Sequence, residues 1–231
     1  MSTRDVAAGA RPRGRDHSTA AEVGRHLATR DAALVDYTRA GVTRTIRLAD
    51  TTPSRAQILR MRESHYQDTL AELGVPVWDA HDEGAVHLLC TQQAEPVGSL
   101  RVTHNQLGRG DVYEDFPQVD QLLGGEGEFL AFARELVVPQ QRGQEVTTAL
   151  VHAACLWWRA HSPIRRVVYT GLVRPGRTPA FFGAAAVTPP LPLGPGAIPV
   201  VLCTAWLDTA IDATARRLAR TGWSITPSSA I

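Results

Sequence analysis

Glu135 is the residue whose surroundings best equip it to take a proton. It lies in an apolar run from Phe129 to Val138, beside Arg134. A carboxylate in such a run is desolvated, which raises its pKa toward neutrality and suits a base. On a regular strand Glu135 shares a face with Ala131, Ala133 and Val137, and the small alanines would leave room for a substrate. The competing reading is a salt bridge to Arg134 or Arg101. Those two arginines could grip a ligand carboxylate in bidentate fashion, and ion pairing with Asp79 or Asp82 suits them equally. Asp79 and Asp82 could hold a cationic amine or lie in a solvated loop, and they are not spaced like metal ligands. His65, His81, His87, His104, His152 and His161 are scattered. His87 could be a base or a satisfied structural histidine.

A second kind of chemistry sits just downstream. The apolar run ends at Pro139, Gln140–Glu145 is polar with one glycine, Gly143, and from Val146 the apolar residues recur at three- and four-residue steps through Ala149, Leu150, Ala153, Ala154, Trp157 and Trp158. This reads as strand, turn and helix. The first N–H groups of such a helix have no intrahelical partner and can receive an anion such as a phosphate.

The elements that must position these residues follow from pattern and punctuation. A helix is expected from Ser18 to about Ala40, a strand over Val42–Leu48, and a helix opened by Thr52-Pro53 and stopped at Gly74. Val86–Cys90 and Val97–Thr103 form an antiparallel pair around a turn at Glu95-Pro96. Residues 105–127 read as an insertion with a short helix around Phe116–Leu123. After the central strand and the helix 146–160 come a strand at Ile164–Thr170, a short helix at Pro179–Ala186, a rigid Pro/Gly loop at Pro189–Pro199, a strand at Ile198–Trp206, and a last helix capped by Asp208. Trp157 and Trp158 read as core plus a half-exposed neighbour. The order gives a single mixed α/β domain over 18–231 behind a tail at 1–17. No G-x-G-x-x-G follows the first strand, so a Rossmann sheet is not indicated.

The 231 residues carry a net charge of +1, and all 24 basic residues are arginine. That balance argues against a general nucleic-acid binder, DNA included. Cys90, Cys155 and Cys203 are isolated in apolar contexts, as unpaired thiols of a reducing compartment would be. No metal motif, signal-peptide core or membrane-length apolar stretch is present, so a cytoplasmic protein with no metal and no membrane partner is expected.

The segment PQQRGQEVTTALV resembles the pyrophosphate-binding turn of the GNAT acyltransferase superfamily, R/Q-x-x-G-x-G/A after a strand ending in V-x-P. Arg142 takes the first position. Glu145 and Thr147 stand where the two glycines belong, and a carboxylate there should repel a diphosphate. A wider succession, LRMRESHYQDTLAELG, WDAHD, HLLC, VGSLRV and ARELVV, is similar to the N-acyl amino acid synthase and acyl-homoserine-lactone synthase branch. The matching positions include Arg62, Tyr66, Leu73, Gly74, Asp79, Asp82, Gly98, Arg101, Arg134 and Glu135, and the match covers roughly residues 45–160.

The resemblance implies an α+β fold with a mostly antiparallel sheet split at its central strand. It implies acyl transfer from a phosphopantetheine thioester to a small-molecule amine, and the Arg-only composition and divergent motif suit a specialised biosynthetic pathway. The donor would be an acyl carrier protein or peptidyl carrier domain in preference to acyl-CoA, because of Glu145 and Thr147. Glu135 would be the base and Arg101, Arg134, Asp79 and Asp82 the acceptor-binding set. Backbone N–H near Val137 or Val138 would hold the thioester carbonyl, and Arg142, Gly143, Gln144, Val146 and Phe182 would complete the donor site. Phe182 stands where a Tyr often serves as acid for the thiolate, so Tyr169 or a water would replace it, or the thiolate would leave unassisted. Arg159, Arg165, Arg166, Arg174 and Arg177 are a candidate docking patch for an acidic carrier protein or for the 3′-phosphate of CoA, against plain compensation of a helix dipole. The alternatives are an acetyl-CoA-dependent N-acetyltransferase, an inactive binding module, and an aminoacyl-tRNA donor. The 105–127 insertion and the Pro-rich loop could line the cleft or mediate a homodimer.

Overall fold

The computed structural model of the protein describes residues 31–125, 127–173 and 181–231. Ten strands form one sheet in the order β10-β1-β2-β3-β4-β5-β6-β9-β7, with β8 also paired to β9. Every pairing is antiparallel except that of β5 with β6.

The first strands are β1 (Ala33–Arg39) and β2 (Val42–Leu48). The expected helix to Ala40 is therefore a strand over its last part, and its start lies outside the described residues. Val35 and Tyr37 alternate toward the core, and Ala40-Gly41 makes a two-residue turn with both φ angles positive, 50° and 79°. That geometry suits a tight hairpin, not a helix. Helix α1 (Thr52–His65) is capped by Thr51, whose hydroxyl accepts from the Ser54 N–H, and carries Pro53 in its first turn. The chain re-starts after Tyr66 as α2 (Gln67–Glu72) and ends at Gly74. A one-turn helix α3 (Ala80–Gly84) follows, capped by Asp79.

Strands β3 (Val86–Gln92), β4 (Glu95–Gln106) and β5 (Glu128–Val137) form the centre of the sheet. The 105–127 region holds two short helices, α4 (Asp111–Asp115) and α5 (Val119–Leu122), in place of one. Helix α6 (Val146–His161) packs on the sheet with α7 (Leu207–Arg220), which starts from Trp206 with no side-chain cap, Asp208 lying in its first turn. Trp157 and Trp158 are both buried there, so neither is the half-exposed neighbour expected. Strand β6 (Arg166–Leu172) and strand β9 (Ile198–Trp206) complete the main sheet.

Residues 181–186 are a turn leading into the two-residue strand β7 (Ala185–Ala186), not a helix. The Pro-rich loop contains β8 (Leu191–Leu193), which pairs with β9 as a hairpin. Strand β10 (Ser224–Pro227) closes the chain against β1.

The sheet has a different apolar layer on each face. Leu130 and Phe132 of β5 belong to the cluster built on α6 and α7, while Phe129 and Ala131 belong to the one under α4 and β8. Cys90, Cys155 and Cys203 are free and buried, and desolvation pushes the Cys90 thiol up to about 12. Among the described residues no helix is long and apolar enough to cross a membrane.

Candidate active site

Two irregularities in β5 make the site. The first is its parting from β6. The two strands pair in parallel only at Leu130–Phe132, against Val167–Tyr169, and beyond that β6 stays on β9 as far as Leu172. An opening therefore separates residues 133–137 of β5 from 170–172 of β6. The second is a β-bulge. Ser99 faces Leu136, yet Arg101 faces Ala133, so β5 spends one more residue than β4. Arg134 takes the strain with φ 52°.

The bulge reverses the alternation of side chains. Ala131 lies on the α4 face, and a regular strand would put Glu135 there too. Instead Glu135 reaches α6, where Thr147 donates its hydroxyl to Oε1 at 2.5 Å. The expectation that Glu135 shares a face with Ala131 and Ala133 is therefore corrected. Burial raises the Glu135 pKa, and the Thr147 hydroxyl and the Arg142 charge offset only part of that. Among the described residues its neighbours Arg134 and Arg101 pair elsewhere, with Asp79.

A cavity of about 420 Å³ lies on the α6 side, lined by Glu135, Thr147, Val151, Tyr169 and Phe182 among others. A second, of about 460 Å³, lies on the α4 side. Tyr66, Phe132, Ala133, Arg134, Tyr169 and Thr170 line both, so the two compartments meet through the opening in the sheet. Each is of a size that holds a small molecule or one arm of a larger one.

Next to the opening, Val138 is not free to hold a carbonyl, because its N–H donates to Val97 O at 3.1 Å. In an antiparallel ladder successive residues turn their N–H groups to opposite sides. Val137, which faces Gly98, accordingly turns its N–H away from β4 and toward the opening. Tyr169 accepts a hydrogen bond from the Phe181 N–H at 3.1 Å, and desolvation pushes its hydroxyl far above the ordinary range. Phe182 packs on the Tyr169 ring with centroids 4.8 Å apart.

The turn before α6 puts two residues in the left-handed region. Gly143 has φ 76°, and Glu145, at the N-cap, has φ 64°. The Glu145 carboxylate is bound by Arg217 of α7 through two hydrogen bonds, 2.6 and 3.0 Å, and by the Thr148 hydroxyl at 2.6 Å. Burial would raise its pKa, but the bonds from Arg217 and Thr148 outweigh that and hold it low. Arg44 braces the same turn from beneath, donating to the Gln144 carbonyl and to the side chains of Gln141 and Gln144. Arg142 is exposed beside it. The Val146 side chain is buried and touches the sheet: a Cβ on Gly98 would lie 2.7 Å from its Cγ1. Only the backbone of Val146 could therefore meet a donor.

The predicted acceptor residues fall into a buried ionic network. Asp79 caps α3 and accepts from Arg101 at 2.7 Å and also from Arg134. Burial would raise the Asp79 pKa, but those two arginines hold it far below the carboxylate range. Asp82 is completely buried, 2.8 Å from Arg62 and 3.3 Å from Arg101, so it cannot meet an acceptor. Arg101 also pairs with Asp111 at 3.1 Å. Sequence reasoning named Arg62 only within the resemblance and missed Asp111. His87 is structural: its Nε2 meets the Asp82 carbonyl at 3.0 Å, Trp78 stacks on it, and desolvation lowers its pKa to about 4.

Arg159, Arg165 and Arg166 lie at the far end of β6 from the opening, about 17 Å away at the rise of a strand, and Arg166 covers the Trp206 ring at 4.3 Å. Arg174 and Arg177 lie outside the described residues. Among the described residues no cluster of His, Cys, Asp and Glu is placed to hold a metal ion.

No protein-family model matches the sequence, and no curated protein does. Solved structures do match. One is assigned as arylalkylamine N-acetyltransferase 7 of the yellow fever mosquito, 14% identical, with 77% of this chain and 94% of that one covered at a TM-score of 0.59. Another is FeeM, an N-acyl amino acid synthase from uncultured soil microbes, at 10% identity, 74% and 95% coverage and a TM-score of 0.53. A third is BjaI, a CoA-dependent acyl-homoserine lactone synthase solved with SAM and isopentyl-CoA, at 15% identity, 81% and 90% coverage and a TM-score of 0.54. The chain has the fold of the GNAT acyltransferases.

Proposed function

We propose that the protein is an N-acyltransferase that moves an acyl group from a phosphopantetheine thioester to the amine of a small molecule. The observation that carries the reading is the opening between β5 and β6, with Glu135 half-buried at it and a cavity on each side. The thioester arm takes the α6 side and the amine the α4 side. Glu135 accepts the proton that the amine must lose, directly or through one water. The amine nitrogen forms its bond to the thioester carbon. The oxyanion that develops on the carbonyl oxygen is met by the Val137 N–H. As the C–N bond is completed the C–S bond breaks, and the thiolate takes a proton from water, or from the Tyr169 hydroxyl as solvent passes the proton held by Glu135 back to it. Products are an amide and a free thiol. Asp79, Arg101 and Arg134 shape the acceptor side.

A carrier-bound donor is the preferred form. Glu145 puts a bulky carboxylate at the N-terminus of α6, where the diphosphate of a free coenzyme would sit, while a carrier's phosphopantetheine brings one phosphodiester. The same turn supports a second reading, acyl-CoA as donor. Its backbone keeps the left-handed conformation of the missing glycine, and Arg217 neutralises the carboxylate. The test is the specificity constant with acyl-CoA against that with the same acyl group on a phosphopantetheinylated carrier protein, using Glu135→Gln as the inactive control. A carrier preference of tenfold or more supports the first reading. Equal or better use of acyl-CoA selects the second. Full activity of Glu135→Gln removes the proposed base. A protein that binds amine and donor and transfers nothing is a binding module.

A further inference from the structure

Resting on that reading, we infer that the β8–β9 hairpin straps the acceptor cavity along one side, so that the amine it takes is a compact free molecule with an apolar body and not an amine carried on a polypeptide. The hairpin tip does not end in solvent. Gly194 lies so close to α2 that a Cβ on it would sit 2.5 Å from Leu73 O and 2.8 Å from Leu73 C, backbone against backbone. The contact is reciprocal, since a Cβ on Gly74 would sit 2.7 Å from Pro195 Cδ. Gly194 and Gly74 have φ 69° and 71°, so each position favours glycine twice over, by conformation and by space. The tip is held as a turn by Ala197 N–H donating to Gly194 O at 3.0 Å.

The strap therefore runs from β9, on one side of the opening, to the end of α2, on the other. Leu193, Gly194 and Pro195 line the cavity together with Leu73 and Gly74. Leu70, Val112, Leu172 and Val200 add apolar lining. The guanidiniums of Arg101 and Arg134 are already paired with carboxylates. Four carboxylates, Asp79, Asp111, Glu114 and Asp115, line the cavity against Arg101, Arg134 and His81, which meets Glu114 at 2.8 Å, and the excess of acidic groups favours entry of an ammonium. A peptide acceptor would have to thread a strapped cavity and bury its amide groups against leucine and valine side chains, where they lose their hydrogen bonds to water.

The experiment measures binding and turnover separately. Calorimetry without donor compares 2-phenylethylamine and hexylamine with a free-amino pentapeptide and a lysine-containing peptide, and acyl transfer is then followed with the same four. The expected result is binding of the two free amines at least tenfold tighter than of either peptide. Leu193→Ala, which trims the strap without touching the Gly194 contact, should shift the preference toward bulkier amines and leave the donor KM within twofold. Gly194→Val, which forces the strap off α2, should erase the discrimination. Peptides bound as tightly as the free amines, or an acceptor series unmoved in Leu193→Ala, overturn the inference. Selective amine binding with no transfer from any donor overturns the acyltransfer reading instead.

Discussion

Thr147, on the first turn of α6, donates its hydroxyl to Glu135 on β5 at 2.5 Å, and it can do so only because the extra residue at Arg134 turns Glu135 to that face. The bond favours the charged carboxylate, while burial favours the neutral acid. The net result is a pKa above that of a free glutamate, so a mechanism needing the carboxylate gains rate as pH rises through that raised value. Thr147→Val removes a stabiliser of the anion and raises the pKa further. The acid limb of kcat/KM should move to higher pH by about one unit, the worth of one hydrogen bond to a charged group. An unmoved limb would detach Glu135 from the proton transfer. Glu135→Gln should lose at least 100-fold in kcat, with donor binding intact by calorimetry.

Tyr169 keeps its proton at every pH the enzyme meets, because its surroundings desolvate the phenolate. If it protonates the leaving thiolate, Tyr169→Phe lowers kcat with a poor thiol leaving group and has little effect with an activated thioester, whose thiolate needs no proton. A loss of equal size with both donors would mean that the hydroxyl serves packing, through its bond to Phe181.

Glu145 and Arg217 make a cycle that can be measured. Glu145→Gly supplies the residue that φ 64° favours and removes a carboxylate from the N-terminus of α6. CoA should bind about tenfold tighter, corresponding to roughly 1.4 kcal/mol. Arg217→Ala leaves the carboxylate unopposed, and CoA should bind more weakly. In the double variant the arginine has nothing to neutralise, so its loss should cost less than it does in the presence of Glu145. Strict additivity would mean that Arg217 acts on the donor directly and not through Glu145.

These relationships divide by how far along the chain their causes lie. The β5–turn–α6 unit was legible because a run from Phe129 to Val138, Pro139 and the three- and four-residue spacing after Val146 are all local signals. The face of Glu135 was not, because the bulge is set by register against β4, some 35 residues earlier. The helix expected to Ala40 failed for a related reason. Leu34 and Val35 fit either period, and what decides for a strand is pairing with β2 on one side and with β10, nearly 190 residues on, on the other. Ser224–Pro227 itself is too short and too polar to announce a strand without that partner. The acidic pair at 79 and 82 was visible as a spacing. That Arg62 and Arg101 would consume it depended on side chains from three separate elements meeting in one buried place.

That buried network sets a stability prediction. Asp82 is completely enclosed and faces both Arg62 and Arg101. Removing it leaves guanidinium charge without its counter-ion in a medium that solvates it poorly. Asp82→Ala should cost about 3–5 kcal/mol of unfolding free energy, read from urea unfolding at pH 7. Asp82→Asn keeps the cap on the Asp79 N–H and should cost less. An exposed pair such as Arg55–Asp50 is the control, with a change under about 1 kcal/mol.

The last prediction concerns acid. His87 and His152 are buried, and desolvation lowers both to about 4, well below an ordinary imidazole near 6.5. Each is neutral when folded at pH 5 and largely protonated when unfolded, so between pH 6.5 and 4 the unfolded chain binds more protons. Stability therefore rises with pH across that window and falls on acidification. Integrated over the window, each costs the folded state roughly 3 kcal/mol at its lower end. Urea midpoints should drop steeply from pH 7 to pH 4.5. In His152→Gln, which can keep a polar contact with Tyr37, the drop should be smaller, His87 and His104 still contributing to it. A wild-type stability that is flat between pH 7 and 4.5 would mean that the imidazoles gain access to water as they charge, and that the packing around Tyr37 and Trp78 yields more readily than its burial implies.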